Sequence, residues 1–520
     1  MKILTWALLI AVLMLGGCSQ GDNTSETLKV LAGSELKDIE PKLRDIAKQT
    51  GVTLEMHYIG TLDGADKVNA ATEHYDLAWF SHAKYLSLLQ GQTKRIKAQE
   101  KIGLSPVIPA VKQSVARKLG WLDNKNLSWG DIAAAAAAGQ FKYAMTDPTA
   151  SNSGFSTVMG VQAAFAGSSD VITAKDVDVD KLKGFFSGQV LTSGSSGWLA
   201  EAYVRDQDRI DGLFNYESVL MSMNNSGQLR EPLVLLYPAE GVVTADYPLI
   251  LLDNDKRDAY QRLVEHMKTP EFQHWMMDNT DRRPVTPQVK PAAKFPNNLL
   301  IELPFPGDIQ TVNEILFAYL DEHRRPSHSI FVLDVSGSMS GERLAALQQA
   351  ILNLTGEDQS ITGQFARFRK RERVTVIRFN NEVSDPTEFL IESTDPNSRG
   401  LTGIRDYVKG LQVGGGTAIY DALQAAYDLA AKAKSDDPDR FYSIVLMSDG
   451  ASNKGSDYAA FERYYRNKSD YVPGVRTFPV LFGESTEQEM HAVAELTGGR
   501  VFDSRKSSLA AVFKKIRGYQ

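Results

Sequence analysis

The chain has 520 residues, 43% hydrophobic and 23% charged, too many for one ordinary core, so two or more domains are expected. Its net charge of -7 comes from interspersed acidic and basic residues, which excludes the basic face that nucleic-acid binding needs. With Cys18 as the only cysteine, the remainder has no disulfide and no cysteine-ligated zinc or iron–sulfur site.

Taken in chain order, Lys2 precedes an apolar run from Ile3 to Leu15, and small residues lead to Cys18. That is the pattern of a secretory signal peptide, and the run is shorter than the roughly 20 residues of a spanning helix. No later run is long enough to cross a bilayer. Leu15-Gly16-Gly17-Cys18 resembles the lipobox of bacterial lipoproteins. The resemblance implies a signal peptide over 1–17, a lipidated Cys18 as mature N-terminus, and an address in the bacterial cell envelope. Ser19 rather than Asp after the cysteine points to the outer membrane, facing the periplasm, in a Gram-negative cell. Residues 18–26 are small and polar and read as a tether.

Leu28–Leu31 reads as a strand, Lys37–Lys48 as an amphipathic helix, and Val52, Leu54, Met56 and Tyr58 alternate as in a second strand. Strand–helix–strand order predicts α/β architecture with a parallel sheet. Ser128-Trp129-Gly130-Asp131 opens a helix containing the alanine run 133–138. The loop Thr146–Gly154 precedes a predicted helix, and Thr192–Gly197 precedes another starting at Trp198. Hydroxyls and backbone N–H groups at helix starts favour an anion or a polar oxygen. No Gly-x-Ser-x-Gly elbow, His-Glu-x-x-His motif or phosphate loop is present, so no enzyme is expected.

Several stretches together resemble the type 2 periplasmic solute-binding proteins of ABC transporters. They are Val30–Glu35, Tyr75–Phe80, Pro106–Val111 as a crossover, Tyr216-Glu217-Ser218, Tyr237-Pro238 and Arg282–Val285. The resemblance implies a two-lobed domain over 27–291 that closes by a hinge on a small polar or anionic solute. Ser34, Ser151, Asn152, Ser153 and Tyr216 are the candidate ligand contacts. Trp79 and Tyr216 are either cleft walls or core, the commoner place for aromatics at strand ends. Glu35 and Glu217 either bind a cation or sugar hydroxyls or are solvated.

Pro284–Pro306 is proline-rich and marks a boundary, with 292–327 as linker and connecting helix. The helix Thr311–His323 is stopped by Arg324-Arg325-Pro326. The basic stretch Arg367–Arg373 reads as a solvated helix end before a strand over Val374–Phe379. Ser329–Leu333 is a buried-type strand ending in Asp334-Val335-Ser336-Gly337-Ser338. Gly414–Gly416 leads through Thr417 into a helix, and Ile444–Met447 ends in Ser448-Asp449. In a doubly wound sheet these loops share the carboxyl edge, where ligands bind, so Asp334, Ser336, Ser338, Thr417 and Asp449 can converge. Five oxygen donors, two of them charged, suit a hard divalent ion such as magnesium. Asp421, one turn beyond Thr417, either supports it or simply starts the helix.

These residues resemble the metal-ion-dependent adhesion site of von Willebrand factor type A domains, over about 328–520. The resemblance implies a Rossmann-like doubly wound fold and a metal completed by an acidic residue of a partner protein. Pro479 inside a predicted strand is a misfit. The expected whole is a membrane-anchored, non-enzymatic adaptor. The alternative is a solute receptor of an ABC transporter whose type A domain serves for docking.

Overall fold

The computed structural model describes residues 26–71, 73–90, 94–167, 171–173, 176, 179–296, 300–468, 472–484 and 486–520. Cys18, the signal segment and most of the tether lie outside them. Among the described residues no helix is long and apolar enough to cross a membrane.

The first half is built from β1 Glu26–Gly33, β2 Val52–Ile59, β3 Leu77–Trp79, β4 Ala98–Lys101, β5 Ser105–Lys112, β6 Tyr143–Thr146, β7 Gln189–Ser193, β8 Gly212–Tyr216, β9 Leu233–Leu235, β10 Val243–Ala245 and β11 Pro248–Leu251. They make two sheets, β2-β1-β3-β11-β4 and β10-β5-β8-β6-β7, with β9 added beside β5. Each sheet is one lobe. The chain leaves the first lobe between β4 and β5 and returns between β10 and β11. Because β5 and β10 are antiparallel neighbours, these two crossings lie side by side.

Two expected helices differ in detail. Lys37–Lys48 is a 3-10 segment, Ser34–Lys42, followed by an α-helix, Leu43–Thr50. Pro41 lies within the 3-10 segment, and its missing N–H prevents an unbroken α ladder. The connecting helix begins at Ile309, where Asp308 accepts the Thr311 N–H at 2.8 Å, and its last turn widens over Tyr319–His323. Val312, Ile315 and Leu316 share one core with Phe155, Phe185 and Phe186, so this helix packs on the first half of the chain.

The second half is one sheet, β14-β13-β12-β15-β16-β17. Its strands are β12 Ser327–Asp334, β13 Arg373–Phe379, β14 Thr387–Leu390, β15 Phe441–Ser448, β16 Arg476–Leu481 and β17 Phe502–Asp503. All pairings are parallel except β13 with β14. Alternation along β12 explains the helices on both faces: Phe331 and Leu333 enter one core with Leu347 and Phe513, Ile330 and Val332 another with Leu423 and Phe461. Pro479 is tolerated because β17 pairs only from Val480 onward, leaving the preceding stretch of β16 with an open side.

The basic stretch before β13 is not a solvated helix end. Arg369 and Glu372 are buried, and Arg369 pairs with Asp321 of the connecting helix. Glu372 accepts from Arg324 and, at 2.6 and 2.8 Å, from Arg517 of the closing helix Leu509–Arg517. Burial by itself would push the Glu372 carboxyl up, but Arg517 and Arg324 outweigh it and hold it below the usual glutamate range. Glu372→Ala strands two buried guanidinium groups and is expected to cost about 3–5 kcal/mol, measured by chemical denaturation. Because the folded-state value is depressed, the stabilisation is present above the ordinary glutamate range and is lost as pH falls through the lowered value. Loss of less than about 1 kcal/mol would contradict this.

Candidate functional site

β12 and β15 are parallel neighbours, so the loops that follow Asp334 and Ser448 leave the same edge of the sheet. The Val335 N–H donates to the Phe379 carbonyl at 2.9 Å, Gly414 N–H to the Val335 carbonyl at 2.9 Å, and Gly337 N–H to the Gly415 carbonyl at 3.1 Å. These bonds lay the Gly414–Thr417 loop against the Asp-x-Ser-x-Ser turn. Gly415 has φ of +83°, a conformation that favours glycine, and an added Cβ would meet the Asn381 side chain.

Four of the five predicted donors form a hydrogen-bonded chain. Asp334 Oδ1 accepts the Ser336 N–H at 2.8 Å, the Ser336 and Ser338 hydroxyls are 3.0 Å apart, and Ser338 donates to Asp449 Oδ1 at 2.8 Å. Thr417 joins them through its loop. Its N–H donates to Asn453 Oδ1 at 2.9 Å and its carbonyl accepts the Asn453 N–H at 3.0 Å. Asp334, Ser336, Thr417 and Asp449 are buried. Burial pushes the Asp334 carboxyl up; hydrogen bonds from Ser336 and Ser448 oppose this, and the nearby Asp449 charge adds to it.

Other residues at this edge escaped the sequence reading. Ser448 donates to Asp334 Oδ2 at 2.5 Å, Arg343 to Asp449 Oδ2 at 2.5 Å, and Asn381 Oδ1 accepts the Gly416 N–H at 2.7 Å. Ser448 could have been found from its place at the end of a strand beside Asp334; Arg343 and Asn381 carried no such signal. Asp421 accepts the Ser456 N–H at 3.0 Å, which anchors the loop containing Asn453 and so steadies Thr417 indirectly. Elsewhere, His74, Asp76 and Asp253 bring ligand atoms within 4.8 Å of one another, but His74 is exposed and Asp76 Oδ2 already accepts the Lys29 N–H at 2.8 Å.

The cleft side is equally polar. A cavity of about 1030 Å³ is lined in part by Ser34, Glu35, Thr149, Ser151, Asn152 and Ser195. Ser153 and Tyr216 lie behind that wall. Ser153 is held by Thr146 at 2.9 Å and Ser196 at 2.7 Å, while the Tyr216 hydroxyl accepts from Asn152 at 3.3 Å and donates to Ser81 at 3.0 Å. Asn152 Oδ1 and Glu35 Oε1 are buried acceptors without a protein donor. Burial raises the Glu35 carboxyl above its ordinary range. Glu217 is neither solvated nor in the cleft: it is fully buried in a bidentate pair with Arg283, both contacts 2.7 Å. Trp79 is core, its Nε1 donating to the Tyr247 carbonyl at 3.0 Å.

Comparison with known proteins matches residues 28–279 to the bacterial extracellular solute-binding protein family and residues 329–451 to the von Willebrand factor type A domain. The chain joins a solute-binding domain to a type A domain. All five oxygen donors fall inside the type A match. Inter-alpha-trypsin inhibitor heavy chain H3 of Pongo abelii is 31% identical over 156 residues, 29% of this chain and 16% of that protein. An uncharacterized protein of Synechocystis is 30% identical over 185 residues, 35% of this chain and 39% of that one. The chain thus spans about a sixth of the length of the heavy chain. Among solved structures, a periplasmic binding protein of Actinobacillus pleuropneumoniae with fructose-6-phosphate bound superposes with a TM-score of 0.45 at 14% identity, covering 57% of this chain and 98% of that one. A type A domain of Catenulispora acidiphila gives a TM-score of 0.30 at 15% identity, covering 38% and 42%. The two-domain assignment rests on the family matches and the sheet topology.

The glycines of the cleft loops separate a packed position from an open one. A Cβ on Gly154 would lie 2.1 Å from the Thr146 carbonyl oxygen, whereas one on Gly197 meets nothing within 4 Å. Gly154→Ala is expected to destabilise by about 1–3 kcal/mol and Gly197→Ala to be neutral or stabilising. Thermal denaturation of the two variants checks this, and equal effects would contradict it.

Proposed function

We propose that Asp334, Ser336, Ser338, Thr417 and Asp449 hold magnesium or another divalent cation, and that this ion receives an acidic side chain from a protein partner. The observation that carries the proposal is the oxygen-to-oxygen chain at one sheet edge. Ligands at about 2.0–2.1 Å on a magnesium octahedron lie about 2.9 Å from their neighbours. The Ser336–Ser338 and Ser338–Asp449 oxygen pairs, 3.0 and 2.8 Å apart, suit that spacing. When bound, the ion would supply a hard, positively charged anchor for a carboxylate, since only two of its five protein donors are charged. Thr417 would act as the switch, on release of the bonds that tie its glycine loop to Val335, Asn381 and Asn453.

The solute-binding domain takes a small polar or anionic solute in its cleft. Asn152 Oδ1 and Glu35 Oε1 support the reading for a solute carrying hydroxyl or amine donors, since buried acceptors without partners are costly. The whole is a non-enzymatic, extracytoplasmic binding protein, anchored through lipidated Cys18 and, in a Gram-negative cell, held at the outer membrane. The family of extracellular solute-binding proteins supports the extracytoplasmic part.

Calorimetry of the intact chain with magnesium tests the metal site. Asp334→Ala removes one of two charged donors and should abolish or sharply weaken the heat of binding. Thr417→Ala should keep more of the ion. Unchanged magnesium binding in Asp334→Ala would overturn the assignment.

A further inference from the structure

The type A domain touches both lobes of the solute-binding domain. Against the second lobe, Tyr519 packs edge-on to Trp198 with centroids 5.0 Å apart, and its hydroxyl is 3.4 Å from Ser195 Oγ. Arg476 pairs with Asp206, and Arg205 donates to the Gly498 carbonyl at 3.2 Å. Against the first lobe, Lys514 Nζ is 3.5 Å from Asp63 and Thr362 donates to Asp66 at 2.9 Å, both acids being on the helix Thr61–Ala70.

Two glycines allow the closest approach. A Cβ on Gly518 would lie 2.9 Å from Ala150 Cβ and 3.1 Å from Gly194 Cα; one on Gly194 would lie 2.5 Å from the Tyr519 ring. Gly518 has an ordinary helical φ of -68°, so space and not backbone conformation requires glycine there. Ala150 and Gly194 belong to the two polar loops of the cleft, and the same cavity is lined by Lys515, Gly518 and Tyr519 from the type A domain.

We propose that the segment Lys514–Tyr519 is the outer wall of the solute cleft, so that the solute site is completed by the type A domain and opens only when that segment lifts. This rests on the cleft being a solute site, but it concerns docking and is tested without solute. Both sets of contacts include buried groups: Trp198 and Tyr519 on the second lobe, and on the first Phe365, which shares a core with Leu62 and Ala65, beside the buried Thr362. The domain that would hold the partner is then also the domain that controls entry to the cleft.

Cys18 being the only cysteine, a full-length Cys18→Ser chain with Ser195→Cys carries one thiol, directly under Tyr519. Its alkylation by a bulky maleimide should be at least tenfold slower than that of an exposed control, Asn225→Cys. Gly518→Leu wedges the interface apart and should speed labelling of the Ser195→Cys thiol at least tenfold. Hydrogen exchange on the chain with native Ser195 gives a second readout, in which Gly518→Leu should deprotect residues 193–197. Labelling as fast as the control before the wedge is introduced overturns the proposal. So does protection that Gly518→Leu leaves unchanged in both measurements.

Discussion

Glu372 is a carboxylate with almost no contact with water, and it is stable there because two guanidinium groups face it. One comes from Arg324, where the connecting helix ends; the other comes from Arg517, where the closing helix ends. A lone buried charge would be costly, so all three must arrive together. Glu372 immediately precedes β13, and that strand brings Phe379 to the loop after Asp334. Arg517 immediately precedes Gly518 and Tyr519, which face the cleft loops. One ionic knot thus fixes the sheet carrying the oxygen donors and the segment lying against Ala150 and Gly194.

The oxygen cluster follows from sheet order. Parallel β12 and β15 place Asp334 and Asp449 at one edge without any sequence contact between them, 115 positions apart by their numbers. The two carboxylates repel each other, and the Ser336 N–H and Ser448 hydroxyl donate to Asp334 while the Ser338 hydroxyl donates to Asp449. Arg343 adds a cation on Asp449. Arg343 offsets part of the negative charge here, and a divalent ion would compete with it for Asp449.

Much of this was legible because it is local. Leu509, Val512, Phe513 and Ile516 have helical spacing, and all four are buried on the closing helix Leu509–Arg517. The Asp-x-Ser-x-Ser turn follows a strand whose continuous apolar run, Ile330–Leu333, is visible in the sequence. What was not legible depends on distant partners. Arg369 and Glu372 look like ordinary surface charges until Asp321, Arg324 and Arg517 are brought beside them. Glu217 likewise became a core residue only through Arg283. Gly518 and Gly194 are unremarkable glycines until the fold sets them face to face. Ser153, a candidate by its hydroxyl, and Tyr216, a candidate cleft aromatic, bond neighbouring protein groups and do not line the cavity. Pro41 was visible throughout, and its effect on the first helix could have been anticipated from its missing N–H.

The central claim is that three separated loops act as one cation site. Hydrogen exchange of the intact chain, with and without magnesium, reads it most directly. Binding at the proposed donors should slow exchange together in the segments 334–340, 413–418 and 448–454, because one ion would tie all three loops. Unchanged exchange in those segments, or protection confined to the surroundings of His74, Asp76 and Asp253, would contradict it.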